Sequence, residues 1–138
     1  MEITVVAQKK LAEIAARFGA RLMLLFGSAA SNRLRPDSDL DIAVQLENPG
    51  PAYRDLYLIQ QELQELFPGR DIDLALINRA DPLFLSKIVQ GCLLLHGATA
   101  DLQQLRLYAF HRYQDYQRYF DLERRCVRRF LQETTATR

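Results

Sequence analysis

Several patterns that would place this chain in other protein classes are absent. No apolar run approaches the roughly 20 residues that a membrane-spanning helix needs. The two cysteines, Cys92 and Cys126, form no CxxC pattern, which excludes a disulfide framework and a zinc site of that type. The opening residues do not show the pattern of a secretion signal. We therefore expect a cytoplasmic protein with no membrane partner.

Two common nucleotide-binding patterns are also missing. Neither GxxxxGK nor GxGxxG occurs, which disfavours a P-loop kinase and a Rossmann dehydrogenase. No internal repeat or low-complexity stretch interrupts the 138 residues. With 49% apolar and 25% charged residues, the composition is that of a soluble globular protein the size of one domain.

Charge is unevenly distributed along the chain. The overall net charge is only +1, so direct binding of nucleic acid is not expected. Residues 1–100 carry 10 basic and 12 acidic side chains, whereas residues 101–138 carry eight arginines and five acids. Because arginine suits carboxylate and phosphate surfaces, this segment is predicted to have a role of its own.

The hydrophobic pattern predicts an α/β fold. Residues 21–26 form a nearly unbroken apolar run, typical of a buried strand. Residues 40–46 and 72–76 alternate with the period of a strand. The remaining predicted elements are helices over 4–18, 52–66, 82–90 and 98–132, and a short strand over 93–96. This order predicts a core over residues 1–97, with a small sheet flanked by helices, and a C-terminal helical extension over 98–138.

The most informative segment combines a Gly-Ser pair with two aspartates. Gly27 ends the first predicted strand, and a backbone without a side chain lets a phosphate approach its N–H groups. Ser28 adds a hydroxyl donor. Ten residues later, Asp39 and Asp41 project from one face of the next strand, because they are two residues apart. Such a pair of like charges tends to persist only where a cation neutralises it or where water screens it fully. Oxygen ligands of this kind suit a hard cation such as Mg²⁺.

A third acidic residue opens the third predicted strand. Asp71 and Asp73 share its polar face, and either one can complete a cluster with the first two aspartates. Three carboxylates can hold two divalent ions and drive an in-line displacement at phosphorus, with Asp73 as general base.

These residues resemble a known enzyme family. The segment LLFGSAASNRLRPDSDLDIAV is similar to the nucleotidyltransferases of the DNA polymerase beta superfamily, whose signature is Gly-Ser followed by Asp-x-Asp. The ten-residue gap, the IDLALI strand and the DPLFLSKIVQGCLLLHG segment resemble its minimal nucleotidyltransferase (MNT) branch. The resemblance implies a small polymerase-beta-like fold with a mixed sheet.

The resemblance also implies a reaction and a partner. Many members are antitoxins that transfer AMP from ATP, with Mg²⁺, to a tyrosine hydroxyl of a HEPN-type RNase toxin. Gly27 and Ser28 would then hold the phosphates, Asp39 and Asp41 would bind the metal ions, and Asp73 would be the third carboxylate. One departure is that an Ala-Arg-Gly run common in the family is replaced by Ala30-Ser31-Asn32, which leaves only Arg33 and Arg35 nearby.

Two other functions are compatible with the sequence. One is an antitoxin that blocks its partner by contact without catalysis. The other is a nucleotidyltransferase with a small-molecule acceptor such as an aminoglycoside, although such relatives usually carry a larger C-terminal domain. Residues 110–131 bear on the first alternative, because their aromatic cluster is too large for a lone helix to expose. That cluster consists of Tyr113, Tyr116, Tyr119 and Phe120, and it predicts a protein-binding surface.

Overall fold

The computed structural model of the protein describes residues 3–30, 39–48 and 53–136. The predicted order of elements is confirmed. The helices are α1 (Val5–Phe18), α2 (Tyr53–Leu66), α3 (Pro82–Val89) and α4 (Thr99–Ala136). The strands are β1 (Ala20–Phe26), β2 (Leu40–Leu46), β3 (Ile72–Leu76) and β4 (Leu93–His96). None of the helices in the described ranges is long and apolar enough to cross a membrane.

The four strands form one mixed sheet in the order β3-β2-β1-β4. Strand β1 pairs antiparallel with both β2 and β4, whereas β2 and β3 are parallel and in register from Leu40 opposite Ile72. The connection between β2 and β3 contains α2, as expected for a crossover between parallel strands. The parallel pairing brings the N-terminal ends of β2 and β3 to the same edge of the sheet.

Apolar layers cover both faces of the sheet. Helices α1 and α2 pack on one face, where Met23, Leu25 and Ile42 are buried. Helices α3 and α4 cover part of the other face, where Leu22 and Leu24 are buried. Strand β1 is therefore buried on both faces, which explains why its sequence is apolar almost without interruption.

Helix α4 begins as part of the globular body and then leaves it. Leu102, Leu105 and Ala109 are buried in the core on the α3 side. An ion pair between Arg21 and Asp101, with 2.9 Å between Nη2 and Oδ1, joins the start of β1 to the start of the helix. From Phe110 to Thr135, every described residue is exposed except Tyr113, which is half-buried. Residues 102–109 therefore pack into the protein's own core, mainly against α3.

Candidate active site

Gly27 lies at the point where the chain turns out of the sheet. It follows β1 directly, opens a short 3₁₀ turn that ends at Ala29, and has a φ of 73°. A Cβ atom at this position would overlap the Oδ2 atom of Asp41. Gly27 is therefore required both by the left-handed backbone and by the close approach of the carboxylate. The structure thus brings Gly27 next to the acidic strand.

Asp41 and Asp73 lie side by side. They are register partners in the parallel pair of β2 and β3, so their side chains project from the same face, with strands about 4.8 Å apart. A backbone hydrogen bond of 2.9 Å from Leu40 N–H to the Asp71 carbonyl oxygen fixes the two strand starts relative to each other. The apolar side chains of both strands enter the core on the opposite face.

The electrostatics of Asp41 reflect this crowding. The pKa of its carboxyl group is raised above the ordinary value, first by burial and then by the negative charges of Asp73 and Asp39. Asp41 is half-buried, whereas Asp39, Asp71 and Asp73 are exposed. Asp71 is not among the charges that shift Asp41, which favours Asp73 as its acidic neighbour.

The donor set fits a hard divalent cation. The Asp41 and Asp73 carboxylates could supply oxygen ligands, and the missing side chain of Gly27 makes room for the Asp41 carboxylate itself. Within residues 3–30, 39–48 and 53–136, no three carboxylate, histidine or cysteine side chains could hold a metal ion by themselves. Mg²⁺ usually binds through one or two carboxylates plus substrate phosphates, so the pair suits an ion that also contacts a nucleotide. The roles of Asp39, Asp41 and Asp73 as metal ligands, and the binding of two divalent ions, stay predictions.

The remaining predicted contributors are Ser28 and two arginines. Ser28 follows Gly27 in the 3₁₀ turn and is exposed. Arg33 and Arg35, the cations nearest in sequence to the triphosphate, lie outside the described residues. The predicted phosphate-binding role of Gly27 and Ser28 also stays a prediction.

An aromatic pair beside the carboxylates was missed by the sequence reasoning. Phe26, the residue before Gly27, is the antiparallel register partner of Asp41. The ring of Phe84, from α3, meets the ring of Phe26 edge to face, with 6.0 Å between centroids and 83° between planes. The signal available in the sequence was the position of Phe26 directly before the glycine, but nothing in the sequence pairs it with Phe84.

A separate cavity of about 420 Å³ lies toward the opposite end of the same sheet face. Its walls include Arg21, Gln45 and Arg112. Gln45 is four residues beyond Asp41 on β2, which corresponds to about 13 Å along the strand. The cavity is therefore not the space in front of the carboxylates.

Comparison with known proteins agrees with the geometry. Residues 9–99 match the family described as Polymerase beta, Nucleotidyltransferase. The chain belongs to this nucleotidyltransferase family. The matched range contains Gly27, Ser28, Asp39, Asp41 and Asp73, as well as all four strands. The prediction of a nucleotidyltransferase with a polymerase-beta-like fold is confirmed.

Similar proteins include one curated relative and several solved structures. The chain is 30% identical over 82 residues to a candidate protein adenylyltransferase of Methanocaldococcus jannaschii, covering 59% of this chain and 86% of the relative. It is similar to a chain in a toxin–antitoxin crystal structure with AMP-PNP, with a TM-score of 0.70, 21% identity, and coverage of 91% and 98% of the two chains.

A second solved structure is described as a tri-AMPylated Shewanella oneidensis HEPN toxin in complex with an MNT antitoxin. The similarity to it has a TM-score of 0.64 at 20% identity, and it covers 91% of this chain and 95% of the matched chain. At these identities the solved structures show that the fold is shared. The structural similarity therefore includes most of the C-terminal helix.

Proposed function

We propose that this nucleotidyltransferase is an antitoxin that transfers AMP from ATP to a tyrosine hydroxyl of a HEPN-type RNase toxin. The observation that best supports the transfer reaction is the in-register pair of Asp41 and Asp73 beside Gly27. This arrangement places two carboxylates next to a backbone that a phosphate can approach, as nucleotidyl transfer requires.

The residues divide the reaction between them. The Gly27 and Ser28 backbone binds the phosphates, and Asp39, Asp41 and Asp73 would hold Mg²⁺ beside them. Mg²⁺, when bound, neutralises the carboxylates and lowers the pKa of the attacking hydroxyl. The tyrosine oxygen forms a bond to the α-phosphorus while the bond from the α-phosphorus to the bridging oxygen breaks, and pyrophosphate leaves with that electron pair. Asp73 accepts the tyrosine proton.

The relatives support a protein as the acceptor. The curated relative is named for protein adenylylation, and the toxin in one similar complex is AMPylated. The AMP-PNP in another similar complex is an ATP analogue, which supports ATP as the donor. The tyrosine acceptor comes from the family resemblance. A small-molecule acceptor is less favoured, because these relatives are named for a protein acceptor.

We further propose that the distal part of α4 binds the toxin. The buried stripe Leu102, Leu105 and Ala109 continues along the same helix face as Tyr113, Tyr116, Phe120 and Val127, which we call the distal stripe. The rings of Tyr116 and Phe120 stack with 6.1 Å between centroids. An apolar helix face that is buried in one half and exposed in the other is suited to a protein partner.

The charge of this surface defines the partner further. Arg124 lies over the Phe120 ring at 4.4 Å, next to three more arginines that follow in the same segment. Residues 123–136 carry four arginines and two glutamates. Arginine and tyrosine are enriched at binding hot spots. The toxin surface should therefore combine an apolar groove with acidic side chains at its edge.

The direct test is a transfer assay with intact mass spectrometry. The purified protein is incubated with labelled ATP or GTP, Mg²⁺ and the product of the neighbouring gene. The expected product is the toxin carrying one or more AMP groups, located on tyrosine by peptide mapping. An unmodified toxin in a stable complex would contradict the proposed reaction.

Matched variants test the assigned carboxylates. Asp73→Asn should lower the transfer rate by at least about 100-fold, because it removes both a metal ligand and the general base. Asp71→Asn, two residues earlier and also exposed, should keep most of the activity. The opposite result would assign the third carboxylate to Asp71.

The exposed distal stripe also favours a second function, inhibition by contact alone. A double Asp39→Asn and Asp41→Asn variant separates the two. If the toxin stays neutralised without transfer, contact is sufficient. If the complex forms but the toxin remains active, neutralisation depends on catalysis.

A further inference from the structure

We propose that Phe26 and Phe84 form the binding surface for the base of the substrate nucleotide, and we call this pair the aromatic wall. The inference rests on the proposed function, because it assigns a place to the base of a nucleotide whose phosphates bind at Gly27. Neither residue belongs to the Gly-Ser and Asp-x-Asp motif. Their assignment comes from their position relative to Asp41.

Phe26 faces the same space as the carboxylates. Residues directly opposite each other in an antiparallel pair project from the same face, with Cβ atoms about 5 Å apart. Phe26 and Asp41 are such partners, and Asp73 is the next residue across the sheet. Phe26 is half-buried against the core on the α3 side, so its ring is held firmly without being fully covered.

Phe84 extends this apolar surface outward. The carboxylate of Asp81 accepts a 2.7 Å hydrogen bond from the Phe84 backbone N–H and caps α3, whose first helical residue is Pro82. This cap fixes the first turn of α3, and the Phe84 ring leans edge-on against Phe26. The residue nevertheless keeps 36% of its surface exposed. An exposed aromatic ring in a rigid position is suited to stacking.

A nucleotide explains why such a wall adjoins two carboxylates. The triphosphate requires the polar side of the site, whereas the flat base, which is one ribose away from the α-phosphate, needs an apolar surface. Stacking of a base on an aromatic side chain is worth about 1–3 kcal/mol, and it does not depend on the identity of the base. The aromatic wall should therefore make a nucleoside triphosphate bind more tightly than an inorganic chain of phosphates.

Isothermal titration calorimetry of the full chain tests this difference without any acceptor protein. Mg²⁺–ATP is compared with Mg²⁺–tripolyphosphate, which lacks sugar and base. Phe84→Ala should weaken ATP binding about tenfold, equivalent to about 1.4 kcal/mol, and leave tripolyphosphate binding within about twofold. Phe84→Tyr keeps the ring and should restore ATP binding. Leu83→Ala, a neighbouring exposed residue without a ring contact to Phe26, is the matched control.

Two results would overturn the assignment. Equal weakening of ATP and tripolyphosphate by Phe84→Ala, with or without a lower melting temperature, would show that Phe84 only supports the fold. Unchanged ATP binding with a raised KM for the toxin would assign the wall to the acceptor tyrosine. Failure of the proposed function is separate, because it would appear as wild-type protein that transfers no AMP to the toxin.

Discussion

Asp41 on β2 and Asp73 on β3 occupy the same register position on neighbouring parallel strands, with Gly27 facing Asp41 from the end of β1. The fold holds these like charges together through backbone pairing and through the buried side chains on the other face of the sheet. The positions of the carboxylates are therefore set before any ligand binds. This preorganisation leads to the predictions that follow.

Replacing Gly27 with alanine should abolish transfer. The new Cβ would overlap the Asp41 carboxylate, and the left-handed backbone would cost about 1–2 kcal/mol. The matched control is Gly69→Ala, because Gly69 also has a left-handed φ, of 84°, but has open space around it. Both variants should lose similar stability in urea unfolding, while only Gly27→Ala loses activity. Equal activity in the two variants would contradict the proposed role of the close approach.

Asp41→Asn should inactivate the enzyme without destabilising it in metal-free buffer. Because the pKa of Asp41 is raised in the folded state, the folded chain holds this proton more tightly than the unfolded chain does. The folded state therefore loses stability as the pH rises from about 3.8, the ordinary value, through the raised pKa. The Asp41→Asn variant has no carboxylate at this position and does not lose this stability. Its free energy of unfolding should therefore exceed that of the wild type by an amount that grows across that pH range and persists at neutral pH.

Unfolding free energies of the two proteins, measured at several pH values in the presence of a chelator, check this prediction. A marked fall in melting temperature for Asp41→Asn at neutral pH would show that Asp41 makes a stabilising contact. The site would then not be a repulsive cluster that awaits a cation.

Mg²⁺ should raise the melting temperature of the wild-type protein. An ion that binds only the folded state stabilises it in proportion to the logarithm of its concentration once the site is saturated. The shift should be larger with ATP present, because the nucleotide supplies the remaining ligands. Asp41→Asn and Asp73→Asn should reduce the shift, and Asp71→Asn should leave it in place. A shift of equal size in all four proteins would indicate binding elsewhere.

Truncation should separate folding from partner binding. A chain that ends after Ala109 keeps Leu102, Leu105 and Ala109 in the core and should stay folded and able to bind ATP. A chain that ends after Gly97 loses two buried leucines, each worth about 2–5 kcal/mol, and should not fold stably. Complex formation with the toxin, measured by gel filtration, should be lost in the chain ending after Ala109. Survival of the complex would contradict the role of the distal stripe.

Much of the fold could be predicted because local patterns specify it. The apolar run of β1 reflects burial on both faces, and the alternation of β2 and β3 reflects one apolar and one polar face. The Asp81 cap and Pro82 mark the start of α3 unambiguously. The order of strands in the sheet was not predicted, because pairing between distant segments depends on packing across the whole domain.

Part of the site could also be predicted from the sequence. Gly27 and the two-residue spacing of Asp39 and Asp41 form a motif that is recognisable in the sequence alone. The aromatic wall could not be found in this way, because Phe26 and Phe84 are 58 positions apart and meet only after α3 folds over β1. The Arg21–Asp101 ion pair was missed for the same reason.

The length of α4 has a geometric consequence. Its 38 residues span about 57 Å, and the 27 residues beyond Ala109 extend about 40 Å from the body. Because Arg21 and the buried leucines hold the first turns of α4 against the body, the helix extends from a fixed starting point. If the toxin binds at the distal stripe as proposed, it would be held at a set distance, and only tyrosines within that reach would be modified.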